Sequence, residues 1–203
     1  MKMRFNRHYR TLGCVPRWSI MRLNRQQSVL EHTALVAMYA MDVMEAIKYK
    51  GDWLEVVDLA LKHDLPEVES GDLPSPVKRV ISTPGKMQEY EDDIMKRRFG
   101  TPTEYTDAAH DIVKVADLLE AVLKLAEEYS TGNRSVFGVL CGLTAYLNDA
   151  VTKLEGGQFL WDDIHRAIDD ELFGQDGIRT PREEESSFFW KEALQREEDS
   201  HTD

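Results

Sequence analysis

A chain of 203 residues, 42% of them apolar and 31% charged, is long enough to bury one sizeable core and too apolar to stay disordered. Its net charge of −12 argues against a general nucleic-acid binder, which presents a basic surface to the phosphates. The charge is unevenly placed: residues 1–30 hold seven Lys or Arg and no acid, so these +7 leave −19 on the other 173. A basic segment on an acidic body can bind an anionic ligand or pair with the surface behind it, and charge alone leaves both open.

The first residues lack the apolar run of a secretory leader, and the apolar stretch 35–41 stops at Asp42, too short to cross a bilayer. Cys14 and Cys141 stand far apart without metal-like spacing. A cytoplasmic chain with free thiols and no membrane partner is expected.

Taken in order, the segments read as successive helices. Ser28-Val29-Leu30-Glu31 has the form of a capping box and predicts a helix from there to about Tyr49, ended by Gly51. Leu35, Val36, Met38, Val43 and Ile47 give it an apolar stripe. Asp52 can cap a second helix, carried by Val56, Val57, Leu59, Ala60 and Leu61 to His63. Residues 65–84 contain four prolines and a Gly-Asp pair, which predicts turns and short helical pieces. Further helices are expected over 87–99, 107–129, 133–154 and 159–173. In the 107–129 helix Ile112, Val115, Ala116, Leu119, Val122, Leu123 and Ala126 face inward. The glutamate-rich residues 182–203 form a tail that is helical in part and then frays. No segment reads as a strand, so the expected fold is all-α, one helical domain over 1–181 followed by that tail.

Four side chains are out of keeping with their surroundings or lie at helix ends. His32 falls in the first turn of the first long helix. His63 and Asp64 end the second, where a carboxylate meets the negative end of the helix dipole and needs positive compensation. Asp117 interrupts the apolar run VKVADLLEA, and a buried carboxylate needs a partner or a cation. Two imidazoles and two carboxylates suit a divalent transition metal. Each residue alone also has an ordinary structural explanation, and spacing leaves the choice open.

The pattern H…HD…D, with a glutamate three residues after the HD pair, resembles that of the HD superfamily of phosphohydrolases. The likeness sharpens at RWSIMRLNRQQSVLEHTALVAM (17–38), HDLPEVESGDLPSPVK (63–78) and VKVADLLEA (113–121). These blocks look like the bacterial 5′-deoxynucleotidases and the related phage deoxynucleoside triphosphohydrolases, some of which prefer dATP. The resemblance implies an HD-type helical bundle whose metal is held by His32, His63, Asp64 and Asp117. Cobalt, manganese, zinc or a similar ion would serve there, with magnesium also possible. It implies that Glu67 orients or deprotonates the attacking water, and that Asp72 protonates the leaving oxygen or organises that water. Arg17 and Lys78 match residues near the phosphate or sugar, and Trp18 one that excludes a ribose hydroxyl. Ser75 can donate to a phosphate or cap the turn before Pro76. The Leu-Pro pair after His63-Asp64 departs from the pattern and stiffens the turn that carries Glu67.

The resemblance thus implies a metal-dependent hydrolase acting on 2′-deoxynucleotides and forming a homo-oligomer, and from the acidic charge no nucleic-acid polymer is expected as a partner. The leading expectation is a nucleotidase that converts a dNMP to deoxynucleoside and phosphate. A dNTP triphosphohydrolase is the alternative, for which Arg22, Arg25 and Arg79 offer further cations. A cyclic-nucleotide or alarmone hydrolase fits the blocks less well. A non-enzymatic helical interaction protein is the reading from another class. His8, His110, His165 and His201 have no motif around them and are expected at the surface.

Overall fold

The computed structural model describes residues 6–74, 85–100, 103–174 and 183–200, and helices dominate them. In chain order these are α1 (Val29–Ala46), α2 (Trp53–Lys62), the single turn α3 (Glu67–Ser70), α4 (Lys86–Arg98), α5 (Asp107–Ser130), α6 (Phe137–Lys153), α7 (Trp161–Phe173) and α8 (Glu183–Ser200). Short 3-10 turns precede α6 and α7, and another covers Arg7–Cys14. The described residues contain no strand, only one isolated bridge between Pro16 and Ser28. The all-α expectation holds.

The organising element is α5. Thr106 caps it by accepting from the Ala109 N–H, and its 24 residues bury side chains on nearly every side. They do so because α1, α2, α6 and α7 all pack against it. A helix surrounded in this way buries polar groups as well as apolar ones, and Glu120, Lys124 and Glu128 lie inside together with the aliphatic residues. Ile112, Val115, Ala116, Leu119, Val122 and Ala126 are buried as the periodicity predicts, and each large aliphatic side chain among them contributes about 1.5–3 kcal/mol. Helix α8 completes the core by seating Phe189, Trp190 and Ala193 in it.

The buried face of α1 differs from the expected stripe. Val36, Ala40 and Val43 lie inward together with Thr33, Ala37 and Met44, whereas Met38 is 60% exposed. Two residues on a helix span roughly 200°, so Met38 points away from the face centred on Val36. Leu61 is likewise exposed on α2. Helix α1 also stops before Gly51. Lys48 takes a left-handed φ of 56°, and the Tyr49 N–H closes on the Met44 carbonyl at 2.9 Å.

Two of the histidines expected at the surface are half-buried there and make ring contacts. His8 packs edge-on against Phe99, and His165 stacks on Trp190 with ring centroids 3.5 Å apart, because α8 lies over α7. His201 lies outside the described residues. The segment Arg134–Lys153 is, by length and composition, apolar enough to cross a membrane, which the sequence reading did not anticipate. In the fold it packs against α5 and α8, and one of its faces lines the cavity described next.

Candidate metal centre

The capping box at Ser28 is formed in full: the Ser28 hydroxyl accepts from the Glu31 N–H, and the Glu31 carboxylate accepts from the Ser28 N–H at 2.9 Å. That fixes where α1 begins, and it turns His32, the fourth helical residue, fully into the interior. The His32 Nδ1–H donates to Glu120 Oε2 at 2.5 Å. His63 ends α2, and its Nδ1–H donates to the Ala60 carbonyl one turn back at 2.8 Å. With Nδ1 committed on each ring, it is Nε2 that each turns to the cluster, with its lone pair available when the ring is neutral.

The two Nε2 atoms are buried and make no hydrogen bond, although carboxylate oxygens stand close by. Asp64 Oδ2 lies 3.2 Å from His63 Nε2 and 3.5 Å from His32 Nε2, and Asp117 Oδ1 lies 3.2 Å from His32 Nε2. Ligand atoms of His32, His63 and Asp117 all fall within 4.8 Å of one another. Ligands around one divalent ion stand roughly 3 Å apart when each bond is about 2.1 Å. Two orphaned imidazole nitrogens facing two carboxylates therefore fit a metal in both chemistry and spacing. The four residues picked from sequence come together, three from separate helices and Asp64 beside His63.

The electrostatics agree. Burial alone would lower the pKa of His63, but Asp64 and Asp117 outweigh it and push it up to about 9. Burial would raise Asp64, yet His63, His32 and Arg17 draw it down to about 2. Asp117 is held far below the carboxylate range against its burial by His32 and Arg17. The pocket favours positive charge. Arg17 meets part of that demand, its guanidinium lying 3.4 Å from an oxygen of Asp64 and 3.4 Å from one of Asp117.

Beside the cluster opens a cavity of about 890 Å³, large enough for a nucleotide, lined by Arg17, Trp18, Asp64, Glu67, Asp72 and Asp117 among others. Pro66 starts α3, which puts Glu67 in its first turn, buried and on the cavity wall. Asp72 follows the left-handed Gly71 and accepts from the Trp18 N–H at 2.8 Å. Trp18 itself has φ 63°, a left-handed conformation that is costly for a bulky side chain and persists only when its surroundings enforce it. Asp72 supplies part of that enforcement.

Ser75, Lys78 and Arg79 lie outside the described residues. Arg22 and Arg25 are not on the cavity wall: Arg25 pairs with Glu31 at 2.9 Å, and the Arg22 carbonyl accepts from Asn133. Among the described residues, the cations that line it beyond Arg17 are Lys114 and Lys153. The sequence reading missed Glu120, although the signal that marked Asp117 applies three residues on in the same apolar run. It also missed Gln27, which no pattern marks, and Glu128. The Glu128 carboxylate accepts from the N–H groups of Asn24 and Arg25 at 2.6 and 3.1 Å and so clamps the basic segment to α5.

The fold and this constellation define an HD-type metal phosphohydrolase architecture, and comparison with known proteins agrees. A family model described as 5′-deoxynucleotidase YfbR-like matches residues 4–96. The 5′-deoxynucleotidase YfbR of Escherichia coli O127:H6 is 33% identical over 148 residues, which cover 64% of this chain and 74% of that protein. A 5′-deoxynucleotidase of Cronobacter sakazakii is 34% identical over 141 residues, 60% of this chain and 71% of that one. Among solved structures, the cyanophage S-2L HD phosphohydrolase DatZ, bound to dA and one catalytic Zn2+, superposes with a TM-score of 0.64 at 20% identity. It covers 84% of this chain and 99% of its own. The PH0347 protein of Pyrococcus horikoshii OT3 gives 0.65 at 22% identity, covering 79% and 94%. The chain belongs to the YfbR-like 5′-deoxynucleotidase family.

Proposed function

We propose that this protein is a metal-dependent phosphohydrolase that cleaves 2′-deoxynucleoside monophosphates to deoxynucleoside and phosphate. The observation that carries the reading is the pair of buried His32 and His63 Nε2 atoms facing Asp64 and Asp117 at one wall of a nucleotide-sized cavity. These four residues would hold one divalent ion. Such an ion, when bound, polarises a phosphate oxygen and lowers the pKa of a coordinated water.

The other roles fall to side chains on the same wall. Water oxygen bonds to phosphorus, the ester bond to O5′ breaks, and the leaving oxygen ends protonated. Glu67 is the acceptor for the proton that the water gives up. One oxygen of Asp72 is occupied by the Trp18 N–H, which leaves the other to orient the water or to serve the leaving group. Arg17 binds phosphate oxygens through its planar fork. The indole of Trp18 packs against the sugar at C2′, where a ribose hydroxyl would be buried without a partner. The same reading has the protein act on deoxynucleotides in the cytoplasm as a homo-oligomer.

A second reading has one specific observation behind it. Lys114 and Lys153 line the same cavity, so among the described residues a triphosphate would have two cations besides Arg17 within its reach. Phosphate and triphosphate release from dAMP and dATP, measured side by side with manganese or cobalt and again with excess chelator, separates the two. Release from neither substrate with any metal would refute both.

A further inference from the structure

Three fully or nearly fully buried polar residues form an unbroken line from the sugar-facing wall to the metal ligand. The Trp18 Nε1–H donates to Gln27 Oε1 at 3.3 Å. Gln27, 0% exposed, donates through Nε2 to Glu120 Oε1 at 2.5 Å. Glu120, 2% exposed, accepts from His32 Nδ1–H through its other oxygen, and His32 turns Nε2 to the cluster. Donors and acceptors match at every link. The Gln27 backbone adds to the junction, since its carbonyl accepts the Arg17 N–H at 2.8 Å.

We infer that Gln27 and Glu120 are positioning residues that couple Trp18 to the metal ligand His32. This rests on the reading of the centre as a metal site. The polarity of the line follows from its chemistry. A carboxylate at position 120 can only accept, so it demands a donor on each side. Those demands place the proton of neutral His32 on Nδ1 and the amide nitrogen of Gln27 toward α5. The amide of Gln27 then presents its oxygen to the indole N–H of Trp18. An amide at position 120 breaks this order whichever way it turns. With its nitrogen toward His32, the imidazole proton moves to Nε2 and blocks the lone pair that a metal needs. With its nitrogen toward Gln27, that amide must flip and set its own N–H against the indole N–H. The conflict lands on the metal or on Trp18, and both ends of the line answer to the same carboxylate.

The test is isothermal titration of cobalt into metal-free parent, Glu120→Gln and Gln27→Met proteins, with the melting temperature of each metal-free form as a control for folding. Glu120→Gln should bind cobalt about 10–100-fold more weakly than the parent, or, with its amide nitrogen turned toward Gln27, lose part of its preference for dAMP over AMP. Gln27→Met keeps the Glu120 charge and should hold cobalt within about threefold of the parent. Its ratio of kcat/KM for dAMP over AMP should fall about fivefold, the net worth of one hydrogen bond. A parent that binds no cobalt overturns the metal centre and this coupling with it. A parent that binds, with both cobalt affinity and the dAMP-over-AMP ratio unchanged in Glu120→Gln, overturns the coupling alone. If Glu120→Gln does not fold, Gln27→Met still decides, because an unchanged sugar ratio removes Gln27 from the line.

Discussion

Arg17 reaches Asp117 across one hundred residues of chain, its guanidinium 3.4 Å from the carboxylate and equally far from Asp64. A buried cation between two carboxylates stabilises the metal-free protein, because without it only the two imidazoles would be left to offset the acids. Arg17→Met should therefore melt at a lower temperature than the parent when both are metal-free. Cobalt should recover more of the melting temperature in the variant, since the metal then supplies the missing charge. Thermal melts with and without cobalt check both halves, and equal shifts in the two proteins would contradict the account.

Most of the helices were legible in the sequence from their caps and apolar periodicity. Asp64 and Asp117 were legible from the way they break local rules, while the grouping of those two with His32 and His63 came from the resemblance. Asp64 at a helix C-terminus and Asp117 in an apolar run both need a positive charge from elsewhere, and the fold delivers one. The surroundings of these residues were less legible. Gln27 is an ordinary polar residue until Trp18 and Glu120 close on it, and Glu120 lies 93 residues further along the chain. Met38 was misplaced because α1 turns Ala37 and Ala40 toward its neighbours beside Val36, Val43 and Met44, so side-chain size did not mark the buried face. His165 gave no sign of its stack on Trp190, which depends on how α8 returns to α7.

Glu128 should control stability at low pH. Burial would raise its pKa, but the N–H groups of Asn24 and Arg25 and the Lys124 ammonium lower it from 4.5 to about 2. A depressed folded-state pKa means that this carboxylate contributes in full above about pH 4.5 and that its contribution fades as the pH falls toward 2. Glu128→Gln should cost about 3 kcal/mol at pH 7, the usual penalty for breaking a buried ion pair. Urea unfolding of parent and variant should converge as the pH falls through that window. A difference independent of pH would argue that the charge is irrelevant.

Trp18→Ala should relax sugar discrimination. Removing the indole opens space at C2′, and the preference for dAMP over AMP should fall about tenfold or more, chiefly through gain of activity on AMP. Competition assays with the two nucleotides measure this directly.

Lys153→Ala separates mono- from triphosphate use. Lys153 lines the cavity and pairs with Asp149 at 2.6 Å without touching the proposed metal ligands. If dATP is a substrate, its KM should rise about tenfold, the loss of one charge-assisted contact, while that for dAMP stays near the parent value. Equal effects on both would place Lys153 outside phosphate recognition.

Substitution of Asp64 reaches the centre of the account. Asp64→Ala, shown by circular dichroism to keep its helices, is assayed for phosphate release from dAMP in saturating manganese. The account predicts a loss of at least about 10³-fold, because the ion that activates water and neutralises phosphate would no longer be held. Turnover at the parent rate would show that these four side chains do not carry the chemistry.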